Sequence, residues 1–182
     1  MTDVTTPTAQ QIAFLRGLRQ IRQLKPDPVP QAAMDDILEV ARWTGSARNI
    51  QPWDLVLIRD RATLRALGTI EGSHAAHLVN AGVGIALVMA GDPAHLDFDT
   101  YDEGRLSERI MLAADAHGLA SAIGWFKDAS SEEAKRRLGV PPQRLLRTIM
   151  SIGFADTEAY AQRQRPAQPR KPLAEIVRTE HW

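Results

Sequence analysis

Apolar residues recur along this chain at spacings that predict a mixture of helices and strands. The clearest helix lies within residues 31–43, where apolar side chains stand at i, i+3, i+4 and i+7 and form one buried stripe: Met34, Ile37, Leu38 and Ala41. Similar spacing predicts helices over residues 8–18 and over residues 100–117, the longest of the set. The prolines of residues 26–30 separate the helix at residues 8–18 from the helix within residues 31–43, because proline lacks an amide donor and disfavours helix in the residue before it.

Short apolar runs that lack helical spacing predict strands. They lie at residues 53–58, 83–89, 121–126 and 148–154, and shorter helices are predicted at residues 62–67, 74–80 and 131–138. The fold is therefore of mixed α and β type, and no internal repeat or linker divides residues 1–182 into domains. Residues 155–182 are mostly polar and proline-rich, and we interpret them as a C-terminal arm whose apolar end needs a surface to pack on.

Composition excludes several kinds of chemistry. Lys and Arg total 22, as do Asp and Glu, so no overall charge attracts nucleic acid or anionic lipid. The absence of cysteine excludes disulfides, thiolate catalysis and cysteine-ligated metals, and the 5 histidines lack metal-ligand spacing. The N-terminal residues lack a secretion signal, and no apolar stretch is long enough to span a membrane. We therefore predict a cytoplasmic protein without metal, membrane or nucleic-acid partners.

Polar residues with binding capacity concentrate between the second predicted helix and the first predicted strand. Ser46, Asn49 and Gln51 offer hydrogen-bond donors and acceptors, and Arg48 adds a permanent positive charge that can pair with an anion. Loops that follow regular elements commonly build binding sites. From the residues alone, a polar turn that contacts only its own backbone is the favoured interpretation.

Three segments, far apart in the chain, resemble the motifs of nitroreductase-like flavoproteins. Residues 46–53 resemble the signature Ser-x-x-Asn-x-Gln-Pro-Trp. Residues 18–24 stand where that family carries an Arg-Arg-Ser-x-Arg-x-Phe type motif; Arg19 and Arg22 match, and the first Arg and the Ser are missing. Arg170-Lys171-Pro172-Leu173 resembles the family's closing basic motif. Shorter matches at residues 118–121, 124–126, 138–141 and 152–154 extend the resemblance over nearly the whole chain.

The resemblance implies an α+β fold with a central, mostly antiparallel β-sheet flanked by helices. It also implies a homodimer that binds FMN at its interface, with the arm of residues 155–182 packed on the partner subunit. The implied activity is a ping-pong reaction. NAD(P)H delivers hydride to N5 of FMN, and an electron-poor acceptor such as a nitroaromatic or a quinone then takes its place.

The resemblance also assigns candidate cofactor-binding residues. Arg19, Gln20, Arg22, Arg170 and Lys171 belong to the two basic motifs directed at the FMN phosphate. The backbone of Ile123, Gly124 and Trp125 would approach the flavin ring, and the loop that carries Ser46, Arg48, Asn49 and Gln51 would come from the ring's other side. No catalytic side chain is needed, because the chemistry is carried by FMN.

Two features of this assignment have competing interpretations. Gly124 would leave the approach to the flavin ring unobstructed, or it merely relieves packing in a strand. His74 and His77 stand where relatives often present a polar side chain to the flavin, but the local match is poor, and we interpret both as lying on an exposed helix face.

Alternative functions follow from the same residues. The chain has no Gly-x-Gly-x-x-Gly fingerprint, so the choice between NADH and NADPH stays open. The altered N-terminal motif is compatible with a flavin-binding or redox-sensing module without nitroreductase turnover. A relative that dehalogenates aromatic substrates or consumes the flavin itself would keep the same fold and cofactor. An α/β domain without any cofactor is the simplest alternative.

Overall fold

The computed structural model describes residues 7–163 and 169–182 and confirms the α+β fold with a sheet flanked by helices. The helices are α1 (Pro7–Gly17), α2 (Gln31–Arg42), α3 (Arg61–Gly68), α4 (Leu96–Ala116), α5 (Ala129–Leu138), α6 (Thr157–Gln162) and α7 (Leu173–Ile176). The strands are β1 (Leu24–Lys25), β2 (Trp53–Ile58), β3 (Val83–Met89), β4 (Ala120–Trp125) and β5 (Leu145–Ala155). Two 3-10 turns, Ala47–Asn49 and Ala76–Asn80, precede β2 and β3.

The sheet is built around β5, and its strand pairs are antiparallel. β3 and β4 flank β5 on opposite edges, since both pair with the same part of it: Ile85 and Ile123 are each opposite Met150. β2 extends the sheet beyond β3, while β1 pairs with the last two residues of β5. The start of β4 therefore lies close to β1, while the end of β4 lies against the segment that leads into β3.

The apolar core occupies both faces of this sheet. On one face, β3 packs through Ile85 and Leu87 against α2 and α4. On the other face, Ala86 and Val88 of the same strand join a second cluster with residues of α3 and α5. β3 is buried along its whole length, which explains why its sequence is an uninterrupted apolar run.

The predicted helices and strands are confirmed, with differences in detail. α4 begins at Leu96, four residues before its predicted start, and the short helices α6 and α7 were not predicted. The segment predicted as a helix over residues 74–80 is a 3-10 turn, Ala76–Asn80. The last strand begins earlier than predicted, at Leu145, because this end of β5 pairs with the end of β3 at Met89. β1 was not predicted, because two residues are too short to show an alternating pattern.

Several apolar side chains at the two ends of the chain are exposed. The helix α1 forms as predicted, yet it has no buried residue, and Ile12 and Leu15 lie on its surface. The apolar end of the tail is also exposed: Leu173, Ile176, Val177 and Trp182. Within the predicted arm, residues 164–168 lie outside the described residues. None of the described helices is both long and apolar enough to cross a membrane.

Candidate functional site

A cavity of about 1010 Å³ lies where the segment before β1, the end of β4 and the 3-10 turn Ala76–Asn80 meet. Five of the predicted cofactor-binding residues line it: Gln20, Arg22, Ile123, Gly124 and Trp125. The segments around it contribute further polar lining, including His74, His77 and Asp156. Its size is at the upper end of the range that small-molecule sites usually occupy.

Gln20 connects two of the predicted site segments. Its Oε1 accepts hydrogen bonds from the backbone amide of Ile123 at 3.2 Å and from the guanidinium of Arg22 at 3.1 Å. The backbone amide of Ile21 also donates to the carbonyl of Ser121 at 2.9 Å. These contacts hold the N-terminal segment against β4 and leave Arg22 exposed at the cavity, where its positive charge can attract an anion.

Gly124 accommodates a neighbouring side chain rather than a ligand. A Cβ atom at this position would stand 2.9 Å from Nε2 of His77 and 3.1 Å from the carbonyl oxygen of His74, closer than such contacts normally are. The glycine therefore makes room for the segment that contains the two histidines. This agrees with the second interpretation of Gly124, close packing in a strand, and gives no support to the first.

His77 is buried, so the interpretation of this residue as part of an exposed helix face was wrong; His74 is exposed. The Nδ1 atom of His77 is hydrogen-bonded to the hydroxyl of Ser151 in β5 at 2.6 Å, and the ring of His77 contributes to the cavity wall. Burial, together with the nearby positive charge of Arg22, lowers the pKa of His77 to about 4. The imidazole is consequently neutral at pH 7.

The end of β4 is tied to α4 through Arg147. The guanidinium of Arg147 contacts the carboxylate of Glu103 at 2.5 Å and the hydroxyl of Thr100 at 2.8 Å, and it lies 5.7 Å from the ring centre of Trp125. Glu103 is buried, and this burial raises the pKa of its carboxyl. The cluster supports Trp125, whose side chain is partly exposed at the cavity.

Two more of the predicted basic residues line a second depression of about 860 Å³. Arg19 and Arg170 line it together with Gln20, which borders both depressions. The guanidinium of Arg19 donates to the carbonyls of Arg16, Gly17 and Leu18 and so caps the end of α1. Lys171 is exposed beside Arg170. Within one chain, Arg22 and Arg170 thus face different depressions.

The loop with Ser46, Arg48, Asn49 and Gln51 lies elsewhere, against α4. The hydroxyl of Ser46 accepts from the backbone amide of Gln51 at 2.8 Å, and the side-chain amide of Gln51 donates to the carbonyl of Asn49 at 3.2 Å. Arg48 borders a separate depression of about 460 Å³ that also contains Asp99 and Asp102. These contacts are those of a self-capping turn, and in this chain the loop does not line the cavity at Arg22.

The backbone of this loop is nevertheless unusual. Arg48, Asn49 and Gln51 have φ angles of 54°, 57° and 54°, in the left-handed region that residues other than glycine rarely adopt. Each such residue costs on the order of 1 kcal/mol or more, and clusters of them are found mainly at functional sites. The conformation points the polar residues of the loop outward, where a ligand or a second subunit can reach them.

The arrangement in one chain can bind an anionic ligand at Arg22 and cover part of it with the wall formed by β4. Among the described residues, no group of three or more His, Asp or Glu side chains is placed to hold a metal ion. His77 is the site residue that sequence reasoning missed. Its signal was indirect: a glycine and a serine, Gly124 of β4 and Ser151 of β5, stand at the positions that face the imidazole.

The chain is similar in sequence to nitroreductases and to an NADH dehydrogenase. The model of the Nitroreductase family matches residues 15–86. The NADH dehydrogenase of Thermus thermophilus is 28% identical, over 82% of this chain and 89% of that protein. Nitroreductase NfnB of Mycolicibacterium smegmatis is 26% identical, over 91% of this chain and 90% of that protein.

A solved structure has the same architecture. The FMN-dependent nitroreductase of Clostridium difficile R20291 superposes with a TM-score of 0.77 at 22% sequence identity, covering 94% of this chain and 99% of that chain. At this level of identity the similarity establishes the fold. The chain therefore has the fold of these nitroreductases, and its residues 15–86 match the model of the Nitroreductase family.

Proposed function

We propose that this chain is an FMN-dependent NAD(P)H oxidoreductase of the nitroreductase type, which reduces electron-poor acceptors such as nitroaromatics or quinones. The observation that carries the proposal is the cavity at the end of β4, where Arg22 is held at the opening and the amide of Ile123 is positioned by Gln20. The similarity to nitroreductases and NAD(P)H-oxidising proteins supports the reaction class.

The residues present fit FMN in chemical terms. The phosphate carries close to two negative charges, and the exposed guanidinium of Arg22 supplies forked donors for its oxygens. Ile123 provides an apolar contact at the same cavity, and the partly exposed ring of Trp125 offers a flat aromatic surface. Bound FMN would supply the hydride chemistry, while the chain binds it, orients it and limits access of water.

We further propose that the active form is a homodimer with FMN at the interface. Apolar side chains exposed on α1, on α4 and in the tail support this, because monomers rarely leave such surfaces uncovered. α1, α4 and Arg170 also meet around one depression, which a partner subunit would cover. In such a dimer the outward-facing loop with Ser46, Arg48, Asn49 and Gln51 belongs to the FMN site of the partner, and the chain is one domain with its arm crossing over.

Removal of residues 173–182 tests the role of the arm. All of these residues are exposed in the single chain, so the truncated protein should fold with unchanged helix and strand content. If the arm packs on the partner, truncation weakens dimerisation and FMN affinity by at least about tenfold, the effect of losing about 1.4 kcal/mol. Analytical ultracentrifugation and FMN titration measure the two effects. An unchanged dimer with normal FMN affinity would exclude a crossing arm.

The catalytic proposal is tested by NAD(P)H oxidation. Purified protein loaded with FMN should oxidise NADH or NADPH steadily when a nitroaromatic or a quinone is added, and turnover should need both flavin and acceptor. Bound flavin without such turnover would instead favour the flavin-binding or redox-sensing module. The cytoplasmic location inferred from the sequence stays a prediction.

A further inference from the structure

The imidazole of His77 occupies an unusual position between two strands and the cavity. It is 8% exposed, and it lies between Gly124 of β4 and Ser151 of β5. Nδ1 has the hydroxyl of Ser151 as its partner, while Nε2 is buried without a hydrogen-bond partner. A buried polar atom without a partner costs free energy, so its persistence requires an explanation.

Some of the groups around the ring stabilise its positively charged, protonated form. The backbones of His74 and Ile123 interact with the imidazole in a way that stabilises its charged form, as carbonyl groups do. The hydroxyl of Ser151 can rotate, so it donates to Nδ1 of the neutral ring and accepts from Nδ1–H of the charged ring. A charged imidazolium would therefore have an acceptor at Nδ1, and the backbones of His74 and Ile123 would stabilise its charge.

Two effects keep the ring neutral in the absence of a ligand. The larger one is burial, which disfavours the charge, and the second is repulsion by the positive charge of Arg22. His74 and Asp156 are the other titratable groups that line the same cavity. β4 and β5 contact the ring through Gly124 and Ser151, which carry no charge. A negative charge beside Arg22 would remove the repulsion and attract the charged ring.

We propose that His77 is a proton-binding residue of the cavity, whose affinity for a proton from solvent increases when a negatively charged ligand lies beside Arg22. The inference deepens the proposed function, since it takes the ligand to be FMN. A hydride from NAD(P)H brings two electrons and one proton to the ligand and so adds one negative charge. A proton that His77 takes up from water would add a positive charge to the cavity wall and so offset that negative charge.

Nitrogen-15 NMR of the histidine rings tests the proposal directly. In the free protein we expect a neutral His77 with its proton on Nε2. Addition of FMN should raise the pKa of His77 by at least about one pH unit, equivalent to a tenfold gain in proton affinity. Reduction of the bound FMN should raise it further, which separates the charge of the phosphate from the charge of the reduced ring. The exposed His117, which pairs with Asp36 and lines neither the cavity nor the depression at Arg48, is the internal control, and its signals should not change.

A variant extends the test to the free protein. Arg22→Gln removes the positive charge, so the pKa of His77 should rise without any ligand. An unchanged pKa of His77 in this variant, or an unchanged pKa with FMN demonstrably bound, would overturn the proposal. Flavin absorbance in the same samples reports binding, so a failure to bind FMN would count against the proposed function and leave the Arg22→Gln result to decide the coupling.

Ligand affinity gives an independent readout. Because binding and proton uptake are linked, a one-unit rise from a pKa of about 4 should make FMN affinity increase about twofold more in the native protein than in His77→Gln as the pH falls from 7 to 5. Glutamine keeps the hydrogen-bonding capacity of the site and does not titrate. The phosphate of FMN titrates equally in both proteins, so the difference between the two profiles belongs to His77. Parallel profiles would contradict the proposed coupling.

Discussion

Replacement of Arg147 by alanine is expected to lower the free energy of unfolding by about 3–5 kcal/mol at neutral pH. Arg147 is the cation opposite the buried carboxylate of Glu103, which it contacts at 2.5 Å. Without it, Glu103 must either remain charged in an apolar setting or take up a proton. Both alternatives destabilise the native state, because the unfolded chain leaves this carboxylate in water.

The pH dependence of this loss has a definite sign. Burial already holds the pKa of Glu103 above its usual value, and loss of Arg147 raises it further. A carboxyl whose pKa is higher in the folded state than in the unfolded state stabilises the folded state when the pH falls through that pKa and the carboxyl takes up a proton. The deficit of Arg147→Ala should therefore be larger at pH 7 than at pH 5, as measured by urea denaturation.

A surface pair provides the matched control. Arg136 forms an ion pair with Glu133 on α5, where its side chain is largely exposed, and Arg136→Ala should cost less than about 1 kcal/mol. The double variant Glu103→Gln/Arg147→Ala should recover part of the lost stability, because it removes the uncompensated charge. A loss below about 1 kcal/mol in Arg147→Ala would show that this ion pair does not hold α4 to the sheet.

Replacement of Arg22 by alanine is expected to weaken FMN binding by about 10- to 100-fold. A hydrogen bond to a charged group contributes about 1.5–3 kcal/mol, and 1.4 kcal/mol corresponds to a factor of ten. Arg22 is exposed at the cavity and makes one side-chain contact of 3.1 Å, to Gln20, so its loss should leave the fold intact. Fluorescence quenching of FMN measures the dissociation constant.

Two variants make the Arg22 result specific. Arg22→Lys keeps the charge without the forked donors and should fall between the native protein and Arg22→Ala. Arg65 is exposed on α3 and does not line the cavity, so Arg65→Ala should bind FMN normally. If Arg22→Ala also binds FMN normally, the phosphate lies elsewhere, and the depression with Arg19 and Arg170 becomes the candidate.

The sequence allowed most of the fold to be predicted, because burial imposes periodicity. The stripe of α2 and the continuous apolar run of β3 each reflect a buried face, and both elements lie where the spacing indicates. The missed elements lack this information. β1 has two residues, and the 3-10 turn before β3 buries His77 and Leu78 next to exposed Ala76, which matches neither helix nor strand spacing.

The site was predictable only in part. The motifs identified Gln20, Arg22 and Ile123, which the fold brings to one cavity. The environment of His77 depends on Gly124 and Ser151, which are distant in the chain, so only the folded structure reveals it. In the proposed dimer, the positions of the loop with Asn49 and of Arg170 relative to FMN would depend on a second subunit, which local sequence patterns do not describe.

An anaerobic absorbance spectrum of the purified protein tests the central proposal most directly. FMN is added first and NAD(P)H second, and unbound flavin is removed between the two steps. Our account predicts that the absorption bands of oxidised flavin stay with the protein and bleach when NADH or NADPH is added. A protein that retains no flavin, or retained flavin that neither nicotinamide bleaches, would contradict it.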